Sequence, residues 1–173
     1  MMLRTSSRNI NPFFKMIKFT LRKNLGIIIL LIISALLYCP GHYLISFEQY
    51  KTSYGTVGNF GIYMLRDFMI NISVISGIAV TAFSFINFTY LYQKRSSDVF
   101  HSFPLTRSEL LLSRMIASFL IVFTPVVICY ISYGIMGAFN IWMIASIWQL
   151  LLAFLHTVLI MFVCLSYAMV FIV

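Results

Sequence analysis

Residues 115–173 contain no Asp, Glu, Lys or Arg. About 20 apolar residues are enough for one helix to cross the hydrocarbon core of a bilayer, so this part of the chain has room for two crossings. Over the whole chain only 9% of the residues are charged, against about 25% in soluble domains. A water-exposed surface cannot be covered with so few charges. The sequence therefore predicts an all-α, polytopic membrane protein.

Four long apolar runs predict four transmembrane helices, which we place at 25–45, 67–91, 113–139 and 141–173. The first run is longer than the apolar part of a signal peptide and no small-residue cleavage site follows it, so we expect it to be retained. Pro40 predicts a kink or an early helix end in the first span, and Pro125 predicts a kink in the third. Residues 46–66 are more polar and are predicted to form an outer loop.

The N-terminal segment, residues 1–24, is basic and contains no acid. Asn11 and Pro12 are typical of a helix start. In a helical projection Ile17 and Leu21 share a face with two phenylalanines, whereas Met16 falls on another side. This pattern predicts an amphipathic helix in the membrane interface; the alternative is a basic flank that only fixes topology. The predicted anchoring residues are Phe13, Phe14, Lys15, Lys18, Arg22 and Lys23.

Lysine and arginine are unevenly divided among the segments outside the spans. Six precede the first span, four lie between Gln93 and Arg114, and the segment before the second span holds two, balanced by two acids. Because basic residues accumulate on the cytoplasmic side, the N-terminus and residues 93–114 are predicted to be cytoplasmic. The chain ends in an apolar run with no polar flank, so we expect it to be the front part of a longer protein.

Several functional classes find little support in the residues. The net charge is +8, but the basic residues lie beside the spans and do not form a basic and aromatic surface. This distribution argues against a nucleic-acid partner. Cys39, Cys129 and Cys164 have neither metal-ligand nor disulfide spacing. Away from the ends of the spans, His156 is the only histidine, acidic or basic side chain within them, so intramembrane catalysis is not expected. His156 and Gln149 are expected to form hydrogen bonds to neighbouring helices. Alternatively, they line a polar path.

The polar passage from Gln93 to Arg114 has a local structure of its own. Ser96 or Ser97 is suited to cap a short helix that ends before Pro104. The sequence 106–109, Thr-Arg-Ser-Glu, matches a capping box and predicts a new helix from about residue 107 into the third span. The short helix carries Phe100 and Phe103, which are unusually apolar for a water-exposed turn. These rings either form a docking element for a soluble partner or dip into the bilayer interface.

Three groups of residues in and beside this passage carry a family resemblance: 90–95, Tyr-Leu-Tyr-Gln-Lys-Arg; 98–107, Asp-Val-Phe-His-Ser-Phe-Pro-Leu-Thr-Arg; and Glu109-Leu with Arg114. They resemble the cytoplasmic loop of type-2 permeases of ATP-binding-cassette exporters, in a branch common in Gram-positive bacteria. Phe103 stands where leucine is commoner in that branch. The resemblance implies that residues 92–112 form a coupling loop whose short coupling helix fits a separate ATPase subunit. The implied contact residues are Asp98, Phe100, His101, Ser102, Phe103, Pro104 and Arg107.

The resemblance also implies a function. The chain would be the permease subunit of an exporter in the cell membrane and not itself an enzyme, with ATP and magnesium held by the ATPase subunit. A second permease subunit, identical or different, would complete the transporter. Such permeases usually have six spans, whereas four are found in this chain. The alternative is a small membrane protein that does not transport, such as an immunity or accessory factor or a remnant of a permease.

Overall fold

The computed structural model describes residues 12–54, 60–88, 107–139 and 146–172, and within these ranges the protein is all α-helical apart from short joints. The five helices of the described part are α1 (Pro12–Lys23), α2 (Leu25–Tyr54), α3 (Phe60–Phe88), α4 (Arg107–Phe139) and α5 (Ile147–Ile172). The last four are long and apolar enough to cross a membrane, which agrees with a multi-pass membrane protein.

Two helix starts agree with the sequence signals. Helix α1 begins at Pro12, where an N-terminal proline costs no backbone hydrogen bond. Helix α4 begins at Arg107, inside the segment that matches a capping box. These local signals predicted the starts because they depend only on backbone groups of the first helical turn.

The predicted early end of the first membrane helix at Pro40 is wrong. Helix α2 continues through this proline to Tyr54, and α3 already begins at Phe60. The predicted outer segment 46–66 therefore contains the last turns of one helix and the first turns of the next. Proline removes one backbone hydrogen bond, and membrane helices tolerate this loss where neighbouring groups compensate for it.

Helix α4 is the centre of the bundle and packs against all four other helices. Helix α3 packs most extensively against α5, and α2 packs mainly against α4, whereas α2 and α3 meet only briefly. Phe68 of α3 is completely buried. Its ring stacks on Tyr133 at 4.5 Å between centroids and meets the edge of Tyr130 at 5.4 Å. Aromatic rings of α3 and α4 thus fill the core at the end of the bundle away from α1.

Helix α5 begins with an N-terminal cap that the sequence analysis overlooked. The Gln149 Oε1 accepts a hydrogen bond from the Ser146 backbone N–H at 3.0 Å, and the Ser146 Oγ accepts one from the Gln149 N–H at 3.3 Å. This reciprocal pair is a capping box. Gln149 therefore caps its own helix, and His156 lies exposed on the outside of α5. Within the described residues Gln149 forms no hydrogen bond to another helix, and its Oε1 is used at the start of its own helix.

Candidate functional site

The segment that the resemblance singles out lies mostly outside the described residues. Asp98, Phe100, His101, Ser102, Phe103 and Pro104 all fall within 89–106, and Arg107 is the first residue of α4. The structure does describe the two helix ends from which this segment starts and to which it returns. We call this region, formed by the end of α3, the start of α4 and their neighbours, the base of segment 89–106.

An apolar cluster joins three helices at the base. Phe88, the last residue of α3, is 1% exposed and packs with Ala168 of α5. Side chains from the first turns of α4 and the end of α5 complete the cluster: Leu110, Leu111, Met115 and Met169. Close packing of these side chains joins the end of α3 to α4 and α5.

A buried polar network lies beside the apolar cluster. The Asn87 Nδ2 donates a hydrogen bond to the Ser118 Oγ of α4 at 2.8 Å. The Asn87 Oδ1 accepts one from the Asn24 Nδ2 at 3.4 Å. All three side chains are buried, and paired polar groups in such surroundings hold helices in a fixed register. The Asn24–Asn87–Ser118 network therefore connects α3 and α4 with the joint between α1 and α2.

Asn24 forms this joint. Its backbone N–H donates to the Thr20 carbonyl at 3.2 Å, and its own carbonyl accepts from the Ile28 N–H at 3.0 Å. The Asn24 side chain also donates to the Thr20 carbonyl, at 3.0 Å. Backbone hydrogen bonding thus continues from α1 into α2, although Asn24 itself is a turn. A displacement of either helix would be passed to the other across this residue.

Helix α1 packs one of its sides on α4, a contact that a helical projection does not include. Met16, Ile17 and Thr20 are buried in this contact. Phe14, expected to face the membrane, is 59% exposed, and Phe13 is half-buried. Met16 falls outside the predicted apolar face because the projection considers only the membrane as an apolar neighbour, whereas α4 provides a second one. The predicted anchoring cations Lys15, Lys18, Arg22 and Lys23 are all exposed.

Arg114, which belongs to the resemblance, lies inside the base. It is 5% exposed, and its carbonyl accepts a hydrogen bond from the Ser118 Oγ at 3.0 Å. Because it is almost completely buried, Arg114 lies on the packed side of α4. It contributes to the base and not to an exposed docking surface.

The network residues Asn24, Asn87 and Ser118 were not recognised in the sequence. Their one sequence signal is a polar side chain inside or beside an apolar run, which marks a functional or packing position in membrane helices. Within the described residues, no group of three or more His, Cys, Asp or Glu side chains is placed to hold a metal ion. The base is a junction of the five described helices, built from packing and hydrogen bonds.

The chain matches no known family model, no curated protein and no solved structure.

Proposed function

We propose that the chain is the permease subunit of an ATP-binding-cassette exporter, and that residues 92–112 dock onto a separate ATPase subunit. The proposal rests first on the sequence of this passage, which resembles the coupling loop of type-2 permeases from Tyr90 to Arg114. In this proposal the ATPase subunit holds ATP and magnesium, and the chain itself carries out no chemical reaction.

The structural observation that supports the proposal is the packed base of segment 89–106. A docked loop transmits force only if the helices that border it move as one body. The Asn87–Ser118 hydrogen bond and the packing of Phe88 against α4 and α5 favour such a common movement. A displacement of the loop would therefore be passed into α4, which is the central helix of the bundle, and from Asn24 into α1 and α2.

Helix α1 fits the proposal as a membrane-interface element. One side of the helix is packed on α4, and the opposite side exposes cations, as described above. A cationic helix surface beside membrane spans is suited to acidic lipid headgroups. The exposed Phe14 ring is suited to insert among the upper acyl chains. We infer that α1 lies on the cytoplasmic face of the cell membrane, with the N-terminus in the cytoplasm.

The decisive experiment is partner binding from native membranes. The tagged protein is solubilised in mild detergent, purified, and its companions are identified by mass spectrometry. We expect a soluble ATPase with Walker motifs in about one-to-one ratio. The triple variant F100A/H101A/F103A removes the implied anchors, and interface anchors typically contribute about 2 kcal/mol or more each. The ATPase should therefore be lost from the purified sample.

A matched control removes three rings elsewhere. The variant F47A/Y50A/Y54A changes the far end of α2, at the opposite end of the bundle from the base. It should retain the ATPase. Both variants should stay in the membrane fraction after the membranes are treated with alkaline carbonate. Retention of the ATPase by F100A/H101A/F103A would contradict the docking. Absence of any ATPase from the wild-type sample would instead favour the small membrane protein that does not transport.

A further inference from the structure

The three helices α2, α3 and α4 enclose a cavity of about 250 Å³. It exists because α2 packs on α4 while hardly meeting α3. Small side chains on the two separated helices leave the space open, among them Ala35 on α2 and Ala79 on α3. Ser34 and Ile75 line it and are also exposed. The cavity therefore opens sideways, between α2 and α3.

The position of the cavity along the helices restricts what can enter. Its lining residues fall at 31–38 on α2, 72–79 on α3 and 122–129 on α4. Each stretch lies near the middle of an apolar helix segment that is long enough to cross a membrane. In a bilayer the opening would face the hydrocarbon core, about 15 Å from either headgroup region. At that depth the available molecules are acyl chains and other apolar compounds.

The short polar side chains of the lining are already hydrogen-bonded. The Ser34 Oγ donates to the Leu31 carbonyl at 2.9 Å, and the Ser76 Oγ donates to the Ser73 carbonyl at 3.1 Å. The Cys129 Sγ donates to the Ala35 carbonyl at 3.7 Å. Water in a cavity needs two to four polar partners, and an apolar cavity of about 150 Å³ stays dry and binds benzene. This larger cavity is therefore suited to an apolar occupant.

The size of the cavity suits a short length of a hydrocarbon chain. Its volume of about 250 Å³ exceeds the volume of about 150 Å³ of an apolar cavity that accommodates benzene. Its opening between α2 and α3 would let one end of such a chain enter while the rest of the chain stays in the bilayer.

We propose that this cavity binds the terminal part of a phospholipid acyl chain, which enters from the bilayer between α2 and α3. The bound chain would supply the apolar contacts that α2 and α3 do not make with each other. Side chains that face an empty space have no atoms opposite them and gain no dispersion energy on that side, so occupancy stabilises the position of α2. This inference is independent of the proposed transport function, since it rests on the cavity alone.

The test uses photoreactive lipid in reconstituted vesicles. The protein is placed in phosphatidylcholine–phosphatidylglycerol vesicles that contain a phosphatidylcholine with a diazirine at the end of one acyl chain. A second set of vesicles contains a phosphatidylcholine whose diazirine lies next to the ester bond of the acyl chain. After irradiation, lipid adducts are mapped by mass spectrometry. For the terminal probe we expect about tenfold more adducts on residues 31–38 and 72–79 than on the exposed face of α5, a preference of about 1.4 kcal/mol. The ester-proximal probe should not show this preference.

Two matched variants locate the site. A79L places a larger side chain in the cavity and should reduce the terminal-probe adducts on 31–38 to the level of the α5 face. A82L makes the same change at an exposed position of the same helix that does not line the cavity, and the adducts should persist. Uniform labelling of the wild-type protein overturns the proposal even if A79L fails to fold. A protein segment or a second copy in the cavity would exclude the lipid and give the same contrary result.

Discussion

Helices α2, α3 and α5 are similarly apolar, yet α3 packs closely against α5 and leaves a gap towards α2. At the closed contact, an added Cβ on Gly77 would lie 3.0 Å from the Cys164 Sγ, so the two helices approach closely. The Ser73 and Thr157 hydroxyls also meet across it at 2.9 Å. At the gap, Ser34 and Ser76 bond to their own helices. In a bilayer, small residues and hydrogen bonds between helices decide which faces associate, because lipid is as apolar as the helices.

The largest expected effect is the separation of α3 from α5 by a bulkier residue at the closed contact. G77V places two methyl groups where even a Cβ would be crowded by Cys164. Overpacking of this kind costs about 1–3 kcal/mol of the free energy of unfolding, measured by denaturant titration in micelles. The double variant G77V/C164A removes the opposing sulfur and should recover part of the loss.

The control for this substitution is G26V. No atom lies within 4 Å of a Cβ added at Gly26, so its free energy of unfolding should change by no more than about 0.5 kcal/mol. Equal losses for G77V and G26V would show that the backbone change, and not the close contact, determines the result. The comparison between closed and open helix faces would then fail.

The next effect concerns the hydrogen bonds at the closed contact. T157V keeps the shape of the side chain and removes the hydroxyl that meets Ser73 and the Tyr130 OH, the latter at 2.7 Å. Hydrogen bonds between membrane helices contribute about 0.6 kcal/mol on average and up to about 1.7 kcal/mol, so we expect a loss of about 1 kcal/mol. T124V is the matched control, because Thr124 is exposed and donates to the Leu120 carbonyl of its own helix. A loss for T124V as large as that for T157V would contradict this account.

The smallest effect is expected at the base, where Asn87 of α3 is hydrogen-bonded to Ser118 of α4. S118A removes the acceptor of the Asn87 amide, while Asn87 keeps its contact with Asn24. We expect a loss of about 0.6 kcal/mol. S166A is the control, since the Ser166 Oγ donates to the Phe162 carbonyl on an exposed face. Identical stability of the wild type and S118A would show that the network does not hold the base.

Much of the helical architecture is predictable from the sequence. The four apolar runs, the start of α1 at Pro12 and the start of α4 at Arg107 follow from local composition and capping signals. Of the two alternatives at Pro40, a kink or an early helix end, the early end is wrong, because a proline interrupts an isolated helix more than it interrupts a helix with membrane neighbours. The cap formed by Ser146 and Gln149 was present in the sequence as Ser-x-x-Gln and was overlooked.

The candidate site divides in the same way. The composition of residues 90–114 and their resemblance to a coupling loop come from the sequence alone. The base cannot be predicted from the sequence, because Asn24, Asn87 and Ser118 are far apart along the chain. They meet only when the helices that carry or adjoin them pack with the right rotation about their axes. The buried face of α1 likewise depends on the position of α4, which no helical projection contains.

The four helices of the described part that are able to cross a membrane are predictable from the sequence, because transfer of a helix into a bilayer depends on the sum of its own side chains. The close contact of α3 with α5, and the cavity between α2 and α3, are seen only in the tertiary structure. That choice depends on which small and hydroxyl-bearing residues face each other across two helices. It is a property of pairs of helices, and the hydropathy of one helix carries no information about it.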